Sequence, residues 1–121
     1  MKTVRSDPER GSGTMLATML ISGLFAAGLL LISLAVAHQA RWQAQLAADL
    51  GALAAASAWR TGFDPCEIAM RTVELNRAVI PEKACVPQAY GQVRVSVVYR
   101  FEFLGPRQAK AYSVAGPRPG A

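Results

Sequence analysis

The chain has 121 residues, 52% of them hydrophobic and 17% charged, with a formal net charge of +5. That is too apolar for a disordered polyelectrolyte, and one histidine with two cysteines falls short of the four ligands of a structural zinc site. The Lys and Arg residues are spread along the chain without a basic run or an aromatic platform, which argues against a nucleic-acid partner.

From Gly11 to Ala37 no residue is charged. As a helix, Thr14 to Ala37 extends roughly 36 Å at about 1.5 Å per residue, enough to cross a hydrocarbon core of about 30 Å. The expectation is a transmembrane helix over residues 14–37. Lys2, Arg5 and Arg10 precede it and only Arg41 follows closely, so the charge bias predicts residues 1–13 in the cytoplasm and His38 to Ala121 outside. Trp42, flanked by His38 and Arg41, then falls at the outer interface. The competing reading is an export signal cut after Ala37, because Ala35-Val36-Ala37 has the small-x-small pattern; an apolar run longer than the roughly 7–15 residues of such signals favours a retained anchor.

Helical character continues over residues 38–60, which hold one glycine, Gly51, and no proline. Arg41, Gln45 and Asp49 form a polar stripe, and Leu46, Leu50 and Leu53 another face. Ala40, Ala44, Ala48, Ala52 and Ala56 make a ridge of small residues, with Ala47, Gly51 and Ala55 beside it, along which another helix is expected to approach closely. Ser22/Ala26 and Gly23/Ala27 repeat that spacing inside the span. Because Leu50 to Trp59 carries no charge, this segment needs a cover, either the chain's own outer module or a neighbouring copy.

Arg60-Thr61-Gly62-Phe63 ends the helix, and residues 61–115 read as a small α+β module. Asp64-Pro65-Cys66-Glu67 is a helix start with aspartate as N-cap and proline at the first position; the helix should reach about Arg77, with Ile68, Ala69, Val73 and either Leu75 or Ala78 facing inward. From Gln92 to Phe103 the period becomes two, with Val93, Val95, Val97, Tyr99, Phe101 and Phe103 on one face and Val98 breaking the polar pattern of the other. A shorter edge strand at Ala84 to Gln88, limited by Pro87, and a third at Ala109 to Val114 complete a sheet of about three antiparallel strands. Its apolar face is expected to lie under Leu50 to Trp59. Residues 116–121 read as a disordered tail.

Cys66 and Cys85 both fall on the outward side, where one disulfide is the simpler arrangement and two buried free thiols the alternative. A bridge closes a loop of about 20 residues and contributes roughly 3 kcal/mol. The compact part, taken as Asp64 to Ala121, is small enough to need such a staple.

Arg10-Gly11-Ser12-Gly13-Thr14 leading into the apolar run, the helix from Arg41-Trp42-Gln43-Ala44-Gln45 to Ala54-Ala55-Ala56, the Asp64-Pro65-Cys66 helix start, Cys85 and the valine-alternating strand come in this order. The set resembles the TadE-like (Flp, or tight-adherence) minor pilins, and within them the actinobacterial branch found beside a helicase and secretion genes. The resemblance implies an α+β, pilin-like membrane protein and a component of a pilus or secretion apparatus. It implies as partners membrane lipid, other pilin-like or secretion-system subunits along the long helix, and further copies of the chain. Gly11 and Gly13 are candidate processing sites, as is Ala37 under the export reading. Processed members carry glutamate five residues after the cut glycine; here that position is Leu16 or Thr18, which points to an accessory or anchoring subunit, not the major polymerising pilin.

No catalytic, cofactor-binding or metal residue is assigned. The outer module has no histidine beyond His38, no Gly-x-Ser-x-Gly and no carboxylate pair with an evident common face, so no enzyme, small-molecule substrate or cofactor is expected. Two classes remain: a structural subunit held by helix packing, and a secreted binding module or effector whose apolar stretch serves export.

Overall fold

In the computed structural model residues 2–118 are described, with side chains from Gly11 onward. The residues resolve into two compact units, Met1–Ala35 and Val36–Ala121. The first helix, α1 (Lys2–Arg60), contributes to both. It begins twelve residues before Thr14, the start expected from the apolar run. The onset of the apolar run marks a change of preferred solvent, which is a different matter from where the helix begins.

In the second unit α1 ends on a glycine. Gly62 takes the left-handed region at φ 84°, the Phe63 N–H donates to the Ala58 carbonyl at 2.9 Å and the Gly62 N–H to that of Trp59 at 3.4 Å. This paired pattern satisfies carbonyls that the helix end would otherwise orphan.

Helix α2 (Pro65–Leu75) starts as its sequence dictates, with the Asp64 carboxylate accepting from the Cys66 N–H at 3.1 Å. It stops two residues before Arg77. Arg77 adopts φ 61°, its N–H bonds the Glu74 carbonyl at 3.0 Å, and the Ala78 N–H reaches back to Val73 at 3.1 Å. The left-handed residue redirects the chain, so Ala78 turns inward, 2% exposed, while Leu75 on the last turn is 85% exposed. Of the alternatives for the inward position, Ala78 holds it.

Three antiparallel strands follow, β1 (Cys85–Pro87), β2 (Val93–Glu102) and β3 (Pro106–Ala115), with β2 central. Pro87 lies on the edge strand, where its missing N–H costs no ladder bond. Tyr90 and Gly91, at φ 64° and 75°, form the tight turn into β2, and the Gln92 N–H bonds the Ala89 carbonyl at 3.4 Å. Val79 pairs with Val98 through two backbone hydrogen bonds of 2.9 and 2.8 Å, extending the sheet beside β1. The third strand begins at Pro106, three residues ahead of the expected Ala109.

The core lies between α1, α2 and the inner face of β2. Val93, Val95 and Val97 meet Ala69 and Val73 of α2 and a continuous set of alanines on α1 from Ala40 to Ala55. The helical cover of the sheet therefore starts ten residues before Leu50. Within the expected Leu50–Trp59 cover, Leu50, Leu53 and Trp59 are themselves exposed; the alanines make the contact, because only small side chains let the helix axis come down onto a sheet already filled by valines. The compact part is thus larger than the stretch from Asp64 onward. The expected tail over residues 116–121 lies partly outside the described residues; within them, the Pro117 carbonyl accepts a 2.9 Å bond from the Gln92 amide.

Candidate membrane anchor and helix-packing faces

The apolar stretch near the N-terminus has the length and composition to cross a membrane, and none of its 18-residue hydrophobic window is buried inside the protein. Large side chains point outward all round it: Leu16, Leu20, Leu24 and Phe25 are each at least 60% exposed. A surface of that kind in water would cost about 25 cal/mol for every Å² left wet, so lipid or other apolar surfaces are its natural surroundings. Polar hydroxyls in the stretch turn back on the helix, Thr18 donating to the Thr14 carbonyl and Ser33 to that of Leu29, each at 2.8 Å. Their donors are thus satisfied within the helix, as a hydrocarbon setting would require.

The small residues singled out in the sequence divide into two groups. Ser22, Gly23, Ala26 and Ala27 are exposed, and a side chain built at Gly23 would meet no heavy atom within 4 Å. Ala44, Ala48, Ala52 and Ala55 are fully buried beneath the chain's own sheet and α2. Gly51 is the point of closest approach: a Cβ there would lie 2.7 Å from Val73 Cγ2 and 3.5 Å from Val95 Cγ1. The outer ridge is covered by the chain's own module, and the inner pairs are left open.

Cys66, in the first turn of α2, is bridged to Cys85 at the start of β1, with the Cα atoms 5.7 Å apart. The link ties the first turn of α2 to the edge strand, whose own ladder is three residues long. Gly11, Gly13 and Ala37 all lie within α1 and are exposed, as is Leu16.

Two glutamines of α1 were not anticipated as structural. Gln43 Nε2 donates to the Asn76 carbonyl at 3.1 Å, closing the end of α2, and Gln45 Nε2 donates both to Asp49 Oδ1 at 2.9 Å and to the Tyr112 carbonyl at 3.2 Å. The available signal was their placement: Gln43 and Gln45 sit on either side of Ala44, which is fully buried in the docking face. Among the described residues no group of three His, Cys, Asp or Glu side chains is placed to hold a metal ion.

No curated relative and no solved structure matches the chain. A family model does match over residues 11–58, that of the Flp pilus-assembly TadE/G-like family. The matched stretch starts with the apolar run and closes near the end of the alanine face on which the sheet rests. Residues 11–58 of the chain are therefore similar to the Flp pilus-assembly TadE/G-like family, and it is this stretch that carries the likeness.

Proposed function

We propose that the chain is a non-catalytic minor pilin or pseudopilin-like subunit of a Flp/Tad-type pilus or secretion apparatus, single-pass, with its N-terminus cytoplasmic and its α+β module extracytoplasmic. The observation that carries this is the contrast between the two sets of small residues: those of the outer ridge are covered within the chain, while Ser22, Gly23, Ala26 and Ala27 are open. In lipid, helices associate by close packing at small residues, since the hydrophobic effect offers no net attraction between them. These four positions are accordingly the contact through which the subunit joins other pilin-like helices or further copies of itself. Leu16 in place of a carboxylate supports an accessory or anchoring role, because an intramembrane carboxylate that could pair with a neighbour's terminal amine is missing.

The test is chemical crosslinking in native membranes of the unsubstituted chain and of a Gly23→Leu/Ala27→Leu variant. Loss of heteromeric or homomeric adducts in the variant, at equal membrane abundance, supports the reading; identical adduct patterns refute it.

One observation favours a second reading, export and release after Ala37. The first core residue is Ala40, so a cut at Ala37 would leave the folded core intact. The N-terminal residue of the native protein separates the two: Met1 for an anchor, Ser12 or Thr14 for a processed pilin, His38 for a released module.

A further inference from the structure

Charge is unevenly distributed over the outer module. Residues 61–92 carry Arg71, Arg77 and Lys83 against Asp64, Glu67, Glu74 and Glu82, whereas residues 93–115 carry Arg94, Arg100, Arg107 and Lys110 against Glu102 alone. The alternation of β2 sorts the latter group. Val93, Val95 and Val97 point into the core, so Arg94, Ser96, Val98 and Arg100 point away from it. In the antiparallel register Val98 is paired with Lys110 and Ser96 with Tyr112, and these partners share the outward face. Arg94 and Arg100 thus lie on the outward face of β2 with Lys110 beside them on β3, level with Val98, and the exposed Glu102 ends the row beyond Arg100. At about 3.3 Å per residue, Arg94 and Arg100 are roughly 20 Å apart, with Lys110 between them. All three are exposed, and among the described residues the one salt bridge, Glu67 with Arg71, is on α2.

We propose that this outward face of the β2–β3 hairpin binds a linear polyanion, its successive phosphate or carboxylate groups met by Arg94, Lys110 and Arg100. The guanidinium of Arg94 lies over the Tyr112 ring, 4.4 Å from its centroid, which holds the cation on the face before any ligand arrives and lowers the entropy lost on binding. Guanidinium forks match phosphate and carboxylate oxygens in pairs, and the central lysine serves as a point charge. A bilayer surface is a poorer match. Membrane-binding surfaces set their cations around large apolar groups that enter between the headgroups, and here the positions between the cations are the small Ser96 and Val98 and Tyr112, whose ring carries the Arg94 guanidinium. A single-stranded nucleic acid fits no better, because stacking on successive bases needs several aromatic platforms and this face offers the one ring, already paired with Arg94.

The proposal draws on the extracytoplasmic reading only for where such a polymer is met. The variants that test it leave the membrane span untouched, so either reading can fail alone. The experiment is a titration of the full-length protein, in discs of phosphatidylcholine, with inorganic polyphosphate at several salt concentrations. The expected result is saturable binding that weakens with salt. An Arg94→Gln/Arg100→Gln/Lys110→Gln variant should bind at least tenfold more weakly, with a log–log salt slope shallower by about two, from three cations at about 0.7 each. An Arg71→Gln/Arg77→Gln/Lys83→Gln variant, with the same change in net charge, should stay within about threefold. If the triple variant on the sheet loses its fold, Arg100→Gln/Lys110→Gln, which spares the Arg94–Tyr112 stack, carries the test. Equal weakening by both triple variants overturns the proposal, as does absence of polyphosphate binding by the unsubstituted protein. Binding confined to vesicles containing phosphatidylglycerol overturns it in favour of a lipid surface.

Discussion

Gly51 of α1 faces Val73 of α2 so closely that one methyl group on the glycine would lie 2.7 Å from Val73 Cγ2, with Val95 of the central strand at 3.5 Å. Val73 and Val95 are fully buried, so neither has free volume into which to retreat. Gly51→Ala should therefore destabilise the outer module by about 1–3 kcal/mol, as overpacking of a tight core does. The contact makes the effect specific. Val73→Ala alone removes buried methyl groups and costs on the order of 2 kcal/mol, but combined with Gly51→Ala it opens the space the new methyl needs. Urea denaturation of the two single variants and the double variant should give a double-mutant cost at least about 0.5 kcal/mol below the sum. Strict additivity would show that the two side chains do not meet.

The Cys66–Cys85 bridge should stabilise the module by roughly 3 kcal/mol, the cost of leaving a loop of about 20 residues open in the unfolded chain. Its position sharpens the expectation. β1 has only three residues in the ladder, and the bridge is the covalent hold on that edge. Denaturation with and without a reductant measures the loss, and hydrogen exchange of the reduced form should show the amides of Val86 and Gln88, which face β2, losing protection before those shared by β2 and β3. Uniform exchange across the sheet would place the effect of the bridge elsewhere.

Both helices of the outer module end on a left-handed residue, with opposite consequences for substitution. Gly62 holds φ 84° at no steric cost, so Gly62→Ala should destabilise by about 1 kcal/mol. Arg77 holds φ 61° with a side chain, so Arg77→Gly removes a steric penalty. It also loosens the unfolded chain, which takes back part of the gain, and the net expectation is stabilisation by about 0.5 kcal/mol. Thermal melts of the two variants should move in opposite directions, Gly62→Ala down and Arg77→Gly up.

Periodicity made the main elements legible. The uncharged run, the Asp64-Pro65 start and the alternation from Val93 to Phe101 each repeat one physical requirement over many residues, and the corresponding helix, cap and strand are present. What covers what was less legible. The alanine ridge was legible as a surface of close approach, but its partner was not: the spacing of small residues pointed to another helix, and the chain's own sheet and α2 take that place. The end of α2 was placed too late for a related reason. A left-handed arginine has no compositional signature, whereas a glycine at the same point would have announced the stop. The bonds from Gln43 and Gln45 join residues far apart in the chain, and no local pattern predicts such pairs.

Ala48 and Ala27 are the same residue type on one helix, and they should respond in opposite ways to enlargement. Ala48 has no exposed surface and sits in the core of the outer module. Ala48→Leu must push the helix off the sheet or force its neighbours out of their rotamers, at about 1–3 kcal/mol or more. Ala27 is exposed in the apolar stretch, where a leucine meets nothing of the chain's own and should leave the unfolding of the outer module within about 0.5 kcal/mol of the unsubstituted protein. Denaturant titration in detergent, followed in a Trp42→Phe background by the fluorescence of Trp59 beside the Gly91 turn, reads both. A midpoint shift for Ala48→Leu alone is the expected outcome. If Ala27→Leu also lowers the midpoint, the apolar stretch is coupled to the folding of the outer module, and substitutions in the stretch cease to be a clean probe of subunit contacts.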